Sequence, residues 1–304
     1  MRVAAIDCGT NSIRLLIADV DGERLSDVAR RMEIVRLGEG VDRTGRIGAE
    51  ALGRTRQALL GYAAEIAELG IDRVRMVATS ASRDAKNAAE FRGMVRSVLG
   101  VDPEVISGAE EAGLSFVGAV HGLTEEPPYL VVDIGGGSTE FVTGVNAVEA
   151  AISVDIGCVR MTERHKLADP PTAKQLAAAE KDITAQVDRA LAAVPGRLAR
   201  TFVGLAGSVT TVAALALDLS AYDPSRIHHA VVSYDQVAKI TADLLAMSVA
   251  ERSALPVMHP GRADVIGAGA LILRTIMERA EQHHVVASEH DILDGIAYGL
   301  ATLS

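Results

Sequence analysis

Apolar and polar positions along this chain follow two periods, and the switch between them happens in the same order twice. Val3–Ile6, Ile13–Ala18, Val28–Val35 and Val74–Ala78 are apolar runs of strand length. Over Thr55–Leu69, Ala85–Leu99 and Glu110–Val120 apolar residues recur at helical spacing, which predicts helices with one buried face. Three strands thus precede the first long helix, whereas in a dinucleotide-binding unit a helix follows the first strand at once. Gly122–Pro128 interrupts the pattern with turn residues and a double proline. The pattern then restarts, with strands over Tyr129–Asp133, Glu140–Gly144 and Ala147–Val154 and a long helix over Thr172–Ala193, capped by Thr172. A strand over Thr201–Leu205 leads into a helix over Val209–Leu219, and further helices are expected over Asp235–Ala246, Val265–Glu278 and Ile292–Thr302. Two domains are expected, 1–124 and 125–304, each β-β-β-α followed by further β/α elements.

The restart extends to individual residues. Setting Asp7 on Asp133 also sets Gly9 on Gly135, Ser12 on Ser138 and Leu15 on Phe141. A turn rich in glycine and hydroxyls presents backbone N–H groups to oxyanions. Gly135, Gly136 and Gly137 permit positive φ and close approach of bare backbone, and Ser138 and Thr139 add hydroxyl donors. Asn11 and Ser12 offer donors in the first copy. Asp7 and Asp133 stand where a carboxylate can hold Mg²⁺ against bound phosphates. Two such turns, one per half, suggest a cleft that grips a phosphate chain from both walls.

Three further segments carry chemistry. Gly204–Thr210 reads as strand, Gly-rich turn and helix, so Gly207 and Ser208 are expected to present N–H groups at a helix N-terminus, a natural anion site. Glu110 and Glu111 open a helix behind Ser107-Gly108. Acidic residues there complement the helix dipole, and a carboxylate near a metal-bound phosphate can also take a proton from an attacking water. Arg83 follows a strand and a Thr-Ser-Ala-Ser turn, at the strand end where α/β sites open, and a guanidinium binds phosphate oxygens in pairs. Arg262, in Gly-Arg-Ala-Asp, serves either phosphate or the tie between a helix start and a loop.

Composition narrows the partners. The 304 residues are 49% hydrophobic and 23% charged, an ordinary globular mix for two domains. A net charge of −10 argues against a nucleic-acid surface, so a polyanionic substrate needs local donors and a metal ion. Aromatic residues are only 3% and Trp is absent, which argues against a platform for stacking bases or sugars. Cys8 and Cys158 lie far apart and are expected to be reduced and buried. The adjacent pairs His228-His229 and His283-His284 point in different directions and predict no zinc site. Neither a basic, apolar leader nor a run of ~18 apolar residues is evident, so a cytoplasmic protein without a membrane partner is expected.

Asp7–Ser12, Ser107–Ala112 and Asp133–Glu140 occur in that order, with Thr79–Arg83, Gly204–Thr210, Gly261–Asp264, Ser288-Glu289 and Asp294-Gly295 around them. Together they resemble the exopolyphosphatase/guanosine pentaphosphate phosphohydrolase family, within the superfamily of actin, sugar kinases and acetate kinase. That resemblance implies an α/β fold of two duplicated actin-like (ribonuclease H-like) domains that close on each other. It implies Mg²⁺-dependent hydrolysis of terminal phosphoanhydride bonds of inorganic polyphosphate, with guanosine pentaphosphate as the alternative substrate, in a homodimer. It assigns the base to Glu111 rather than Glu110 and sets Arg83 beside the phosphoryl group. Asn11, Ser12, Gly135, Gly136, Gly137, Ser138, Thr139, Gly207 and Ser208 become phosphate ligands, and Asp7, Asp133 and Glu140 metal ligands. Gly113 departs from the pattern, since longer members often carry a basic residue there. The length fits the short, two-domain form, from which processive digestion of long polymers is not expected. A kinase of the same superfamily needs an acceptor pocket and an adenosine site, and a polyphosphate sensor needs no water-activating carboxylate. Glu111, Asp133 and Glu140 together favour a hydrolase.

Overall fold

A computed structural model describes residues 1–22 and 24–302. In its first part β1 (Arg2–Cys8), β2 (Ser12–Asp21) and β3 (Arg24–Ile34) form an antiparallel meander. Helices α1 (Val41–Thr44) and α2 (Ala49–Glu68) lead to β4 (Val74–Ala78), which lies parallel to β1. After α3 (Ser80–Asp84) and α4 (Ala88–Leu99), β5 (Glu104–Val105) extends the sheet and α5 (Gly108–Val120) follows. The strand order is β3-β2-β1-β4-β5.

The second part repeats this plan. The meander is β6 (Tyr129–Ile134), β7 (Thr139–Gly144) and β8 (Val148–Val154), and α6 (Cys158–Arg164) and α7 (Ala173–Ala193) lead to β9 (Thr201–Leu205), parallel to β6. Then come α8 (Ala206–Ala216), α9 (Pro224–Ile227), β10 (Val231–Ser233), α10 (Tyr234–Ala246), α11 (Val249–Ser253), α12 (Ile266–Arg279) and β11 (His284–Ala287). In the order β10-β11-β9-β6-β7-β8, the run β9-β6-β7-β8 matches β4-β1-β2-β3 strand for strand. This is the duplicated actin-like arrangement implied by the motifs. A last helix, α13 (Ile292–Thr302), closes the described chain.

The placement of α13 departs from the expected division at 124. The chain forms two compact units, one of Met1–His121 with Asp291–Ser304 and the other of Gly122–His290. The reason lies in β1, which is buried on both faces. Ala4, Ile6 and Cys8 pack into a core with Leu59 of α2 and Phe91 and Val95 of α4. Val3 and Ala5, with Leu16, Ala18 and Val20 of β2, face the other way and are covered by Ile292, Leu293, Ile296, Ala297 and Leu300 of α13. Without that helix the first sheet keeps an apolar face in water.

The periodic elements otherwise form where the pattern predicts them, and Thr172 caps α7 in a capping box with Gln175. The segments missed are short: β5, α1, α3 (read as a turn), α6, α9, α11, β10 and β11 span two to seven residues, too few for either period to register. Both cysteines are free and buried. Among the described residues no helix is long and apolar enough to cross a membrane.

Candidate active site

The two meanders fold their first turns alike. In the first unit the Gly9 N–H donates to the Ser12 carbonyl at 3.0 Å. The Asn11 carbonyl accepts from Val35 (3.0 Å) and Arg36 (2.8 Å), and the Thr10 carbonyl from Gly38 (2.9 Å). The Thr10 hydroxyl lies 2.8 Å from that of Ser80, which opens α3. The turn is thus pinned by its oxygens, and the half-buried Asn11 and Ser12 keep their side chains out of those bonds.

In the second unit the Gly135 N–H donates to the Ser138 carbonyl, also at 3.0 Å. Carbonyls again hold the turn: Gly135 accepts from Cys158 (3.0 Å) and Gly136 from Val159 (2.9 Å) and Arg160 (3.0 Å) at the start of α6. Gly157 allows this approach, because a Cβ there would stand 2.4 Å from the Gly136 carbonyl carbon. Among the described residues no backbone carbonyl of this unit accepts from the N–H groups of Gly136, Gly137 or Ser138, which leaves an anion-binding edge. Two expectations need correction here. None of Gly135, Gly136 and Gly137 takes the left-handed conformation, so the glycine run serves close approach rather than positive φ. The Thr139 hydroxyl is fully buried and donates to the Ile156 carbonyl at 2.6 Å, which removes it from the phosphate donors.

Asp133 and Glu140 are direct partners in the β6–β7 ladder, which sets both carboxylates on one face of the sheet. Both are buried, and Ser153 of β8 donates to Glu140 Oε1 at 2.7 Å. The same positions of the first unit are held by Asp7 and Arg14, partners in the β1–β2 ladder. Arg14 Nη2 and Nε donate to Asp7 Oδ2 at 2.7 and 3.2 Å, and Arg14 Nη1 to Asp291 Oδ2. Burial pushes the Asp7 carboxyl above its usual range, against the pull of Arg14 and with the added charge of Asp291. Arg14 was not among the expected site residues. The repeat itself contained the signal, since setting Asp7 on Asp133 also sets Arg14 on Glu140.

Glu110 and Glu111 separate cleanly. Glu110 forms a capping box with Ser107, accepting from its N–H at 2.9 Å, and these bonds hold its carboxyl below the usual range. Glu111, one residue on, has a side chain only 11% exposed, and its Oε2 lies 3.4 Å from Arg83 Nη1. The same nitrogen donates to the Ile106 carbonyl at 3.0 Å, so Arg83 is anchored from α3 to the segment entering α5. Two glycines hold α5 backbone to backbone on the last helix segment. A Cβ on Gly118 would stand 1.8 Å from the Asp291 carbonyl oxygen, and one on Gly295 2.0 Å from that of Leu114.

At the β9–α8 junction the chain turns through Ala206 in the left-handed region (φ 66°), a strained choice for a residue with a Cβ. The Gly207 carbonyl accepts from Arg262 Nη1 at 3.1 Å, and the Thr211 hydroxyl lies 3.0 Å from the same nitrogen. Arg262 therefore ties the helix start to its loop. Ser208 is 3% exposed and its hydroxyl lies against Gly269 of α12 beside Cys158, so only its N–H, the group expected of it, is left for phosphate.

The donor set suits a hard divalent cation such as Mg²⁺, which prefers carboxylate oxygens and keeps several waters. Taken unit by unit, the second supplies two facing carboxylates, Asp133 and Glu140, and in the first Asp7 Oδ1 is buried with no hydrogen-bond partner. Asp7 Oδ2 belongs to Arg14, so only one oxygen of the expected ligand is open. Among the described residues no group of three His, Cys, Asp or Glu side chains is placed to hold a metal by itself. Any such ion must take ligands from the substrate phosphates or water.

Comparison with known proteins agrees with this architecture. The chain is 52% identical over 315 residues to Exopolyphosphatase 2 of Mycobacterium tuberculosis, a match covering 99% of this chain and 98% of that one. It superposes on the crystal structure of an exopolyphosphatase-like protein with a TM-score of 0.96 at 44% identity, covering 100% and 99% of the two chains. The Ppx/GppA family member of Aquifex aeolicus aligns at a TM-score of 0.84 with 34% identity, over 99% and 97%. The family model of the Ppx/GppA phosphatases matches residues 16–303. This chain belongs to the Ppx/GppA phosphatase family.

Proposed function

We propose that the protein is an exopolyphosphatase, a Mg²⁺-dependent hydrolase that removes terminal phosphate from inorganic polyphosphate, short chains above all. The observation that carries this reading is the Arg83–Glu111 pair. A carboxylate with little access to water faces a guanidinium 3.4 Å away, at the head of a helix whose own cap is supplied by Glu110. Glu111 takes a proton from the attacking water as the oxygen of that water bonds to the terminal phosphorus. The bridging P–O bond breaks, the electron pair leaves with the shortened chain, and inorganic phosphate is released. Arg83 and the N–H groups of the Gly-rich turns stabilise the oxygens in transit. Mg²⁺, when bound, would neutralise the phosphate charge that opposes attack; the candidate ligands are Asp133 and Glu140 in the second unit and, separately, the open oxygen of Asp7 in the first. A homodimer in the cytoplasm completes this reading, and sedimentation of the purified protein tests the first of these.

The test is phosphate release from tripolyphosphate, long polyphosphate and guanosine pentaphosphate, with Mg²⁺ and with a chelator. Glu111→Ala is expected to lower kcat by about 10²–10⁴-fold while KM stays within a few-fold. Wild-type turnover confined to guanosine pentaphosphate would replace polyphosphate as substrate. Full activity of Glu111→Ala would overturn the base.

A further inference from the structure

Arg14 does not end at Asp7. Its third nitrogen, Nη1, donates to Oδ2 of Asp291, which is 3% exposed and directly precedes α13. Asp291 Oδ1 accepts from the Leu293 N–H at 3.0 Å and so caps that helix. The Asp291 N–H donates to Asp294 Oδ2 at 2.9 Å, and Asp294 Oδ1 is in turn paired with Arg30 of β3 at 2.7 Å. Every nitrogen of Arg14 and both carboxylate oxygens of Asp291 are therefore committed. The one open polar atom of the group is Asp7 Oδ1, on a residue 4% exposed. Two carboxylates also share one guanidinium, so the group carries one net negative charge in a buried place.

We propose that Asp291 is a positioning residue for the metal-dependent reaction: through Arg14 it holds the Asp7 carboxyl so that Oδ1 faces a divalent cation, and its charge keeps Arg14 from cancelling that of Asp7. The inference rests on the Mg²⁺-dependent reading above. Carboxylates that orient a ligand from behind commonly change metal affinity 10- to 100-fold when removed. Asp291 reaches a ligand in that way, with a guanidinium in place of the usual imidazole. It also makes the first turn dependent on a residue at the far end of the chain, where no local motif points to it.

Mn²⁺ binding to the full chain, followed by electron paramagnetic resonance without substrate, reads this directly. Asp291→Asn keeps the oxygen that caps α13 but turns an amide N–H toward Arg14, so its unfolding temperature is expected to fall by several degrees, and circular dichroism at the assay temperature checks that it is folded before metal is added. Its Mn²⁺ affinity is expected to fall about 10-fold, and the Mg²⁺ concentration for half-maximal tripolyphosphate hydrolysis to rise in step. Introduced into Asp7→Asn, the same change is expected to add nothing, because the oxygen it orients is gone. Wild-type Mn²⁺ affinity in Asp291→Asn, or an equal loss in both backgrounds, overturns the proposal. A wild-type protein that binds Mn²⁺ but hydrolyses no polyphosphate sinks the exopolyphosphatase reading instead.

Discussion

Asp7 shows how a site residue can weaken the fold it belongs to. Burial raises its carboxyl pKa first, the charge of Asp291 adds to that, and Arg14 only partly opposes both. Such a carboxyl binds a proton more readily folded than unfolded. The stability it contributes is complete below the unfolded pKa, near ~4, and is lost as pH rises through the higher folded value. At neutral pH the wild-type chain carries that loss and Asp7→Asn does not. The variant is expected to melt with wild type near pH ~4 and about 1–3 °C above it at pH ~7–8, while losing hydrolysis. Thermal melts across that pH range check it. A gain that shrinks as pH rises would mean that Arg14 outweighs desolvation. Thr139 gives a second lesson at this scale. Side chains alternate along β7, so Thr139 shares the core face of Phe141 while Glu140 faces the other way. That count was available in the sequence, and it separates Thr139 from Ser138 although the motif treats them alike.

Elements were legible in proportion to their length. The 20 residues of α2 and the 21 of α7 repeat the helical period several times over. Nothing of the kind distinguishes the two residues of β5 or the three of β10, which exist because a neighbouring strand offers an edge. The helix that carries Glu111 illustrates a further limit: its glycines look equivalent in sequence and are not. A Cβ on Gly113 meets nothing within 4 Å, whereas one on Gly118 meets the Asp291 carbonyl oxygen at 1.8 Å, and one on Gly295 of the facing helix meets backbone at 2.0 Å. Gly113→Ala is expected to raise stability by about 0.5–1 kcal/mol, because alanine costs less backbone entropy in a helix. Gly295→Ala is expected to lower it by about 1–3 kcal/mol, as overpacking does. Its kcat is expected to fall as well, since the helix it displaces carries Glu111. Denaturant unfolding with steady-state kinetics on both variants checks this, and a destabilised Gly113→Ala would refute the space argument.

At the scale of the whole molecule the hydrophobic pattern predicts that α13 is an amphipathic helix, but not which sheet it covers. Periodicity records that a face is buried and carries no address, so the division at 124 failed at the one element that returns. Charge, by contrast, is readable without any fold. A protein of net charge −10 must bring a polyanion to its turns against its own field. Nucleic-acid binders show the opposite situation, in which salt weakens binding by screening attraction. Here salt screens repulsion, which is effective beyond a Debye length of about 10 Å at 0.1 M. At constant free Mg²⁺, kcat/KM for tripolyphosphate is therefore expected to rise about 2- to 5-fold from ~10 to ~150 mM ionic strength. The change should appear in KM, because contacts made after arrival, at Arg83 and the turn N–H groups, lie within the screening length. A steady fall over the same range would mean that the local field of those donors reaches farther than the net charge, and that the substrate is steered rather than merely admitted.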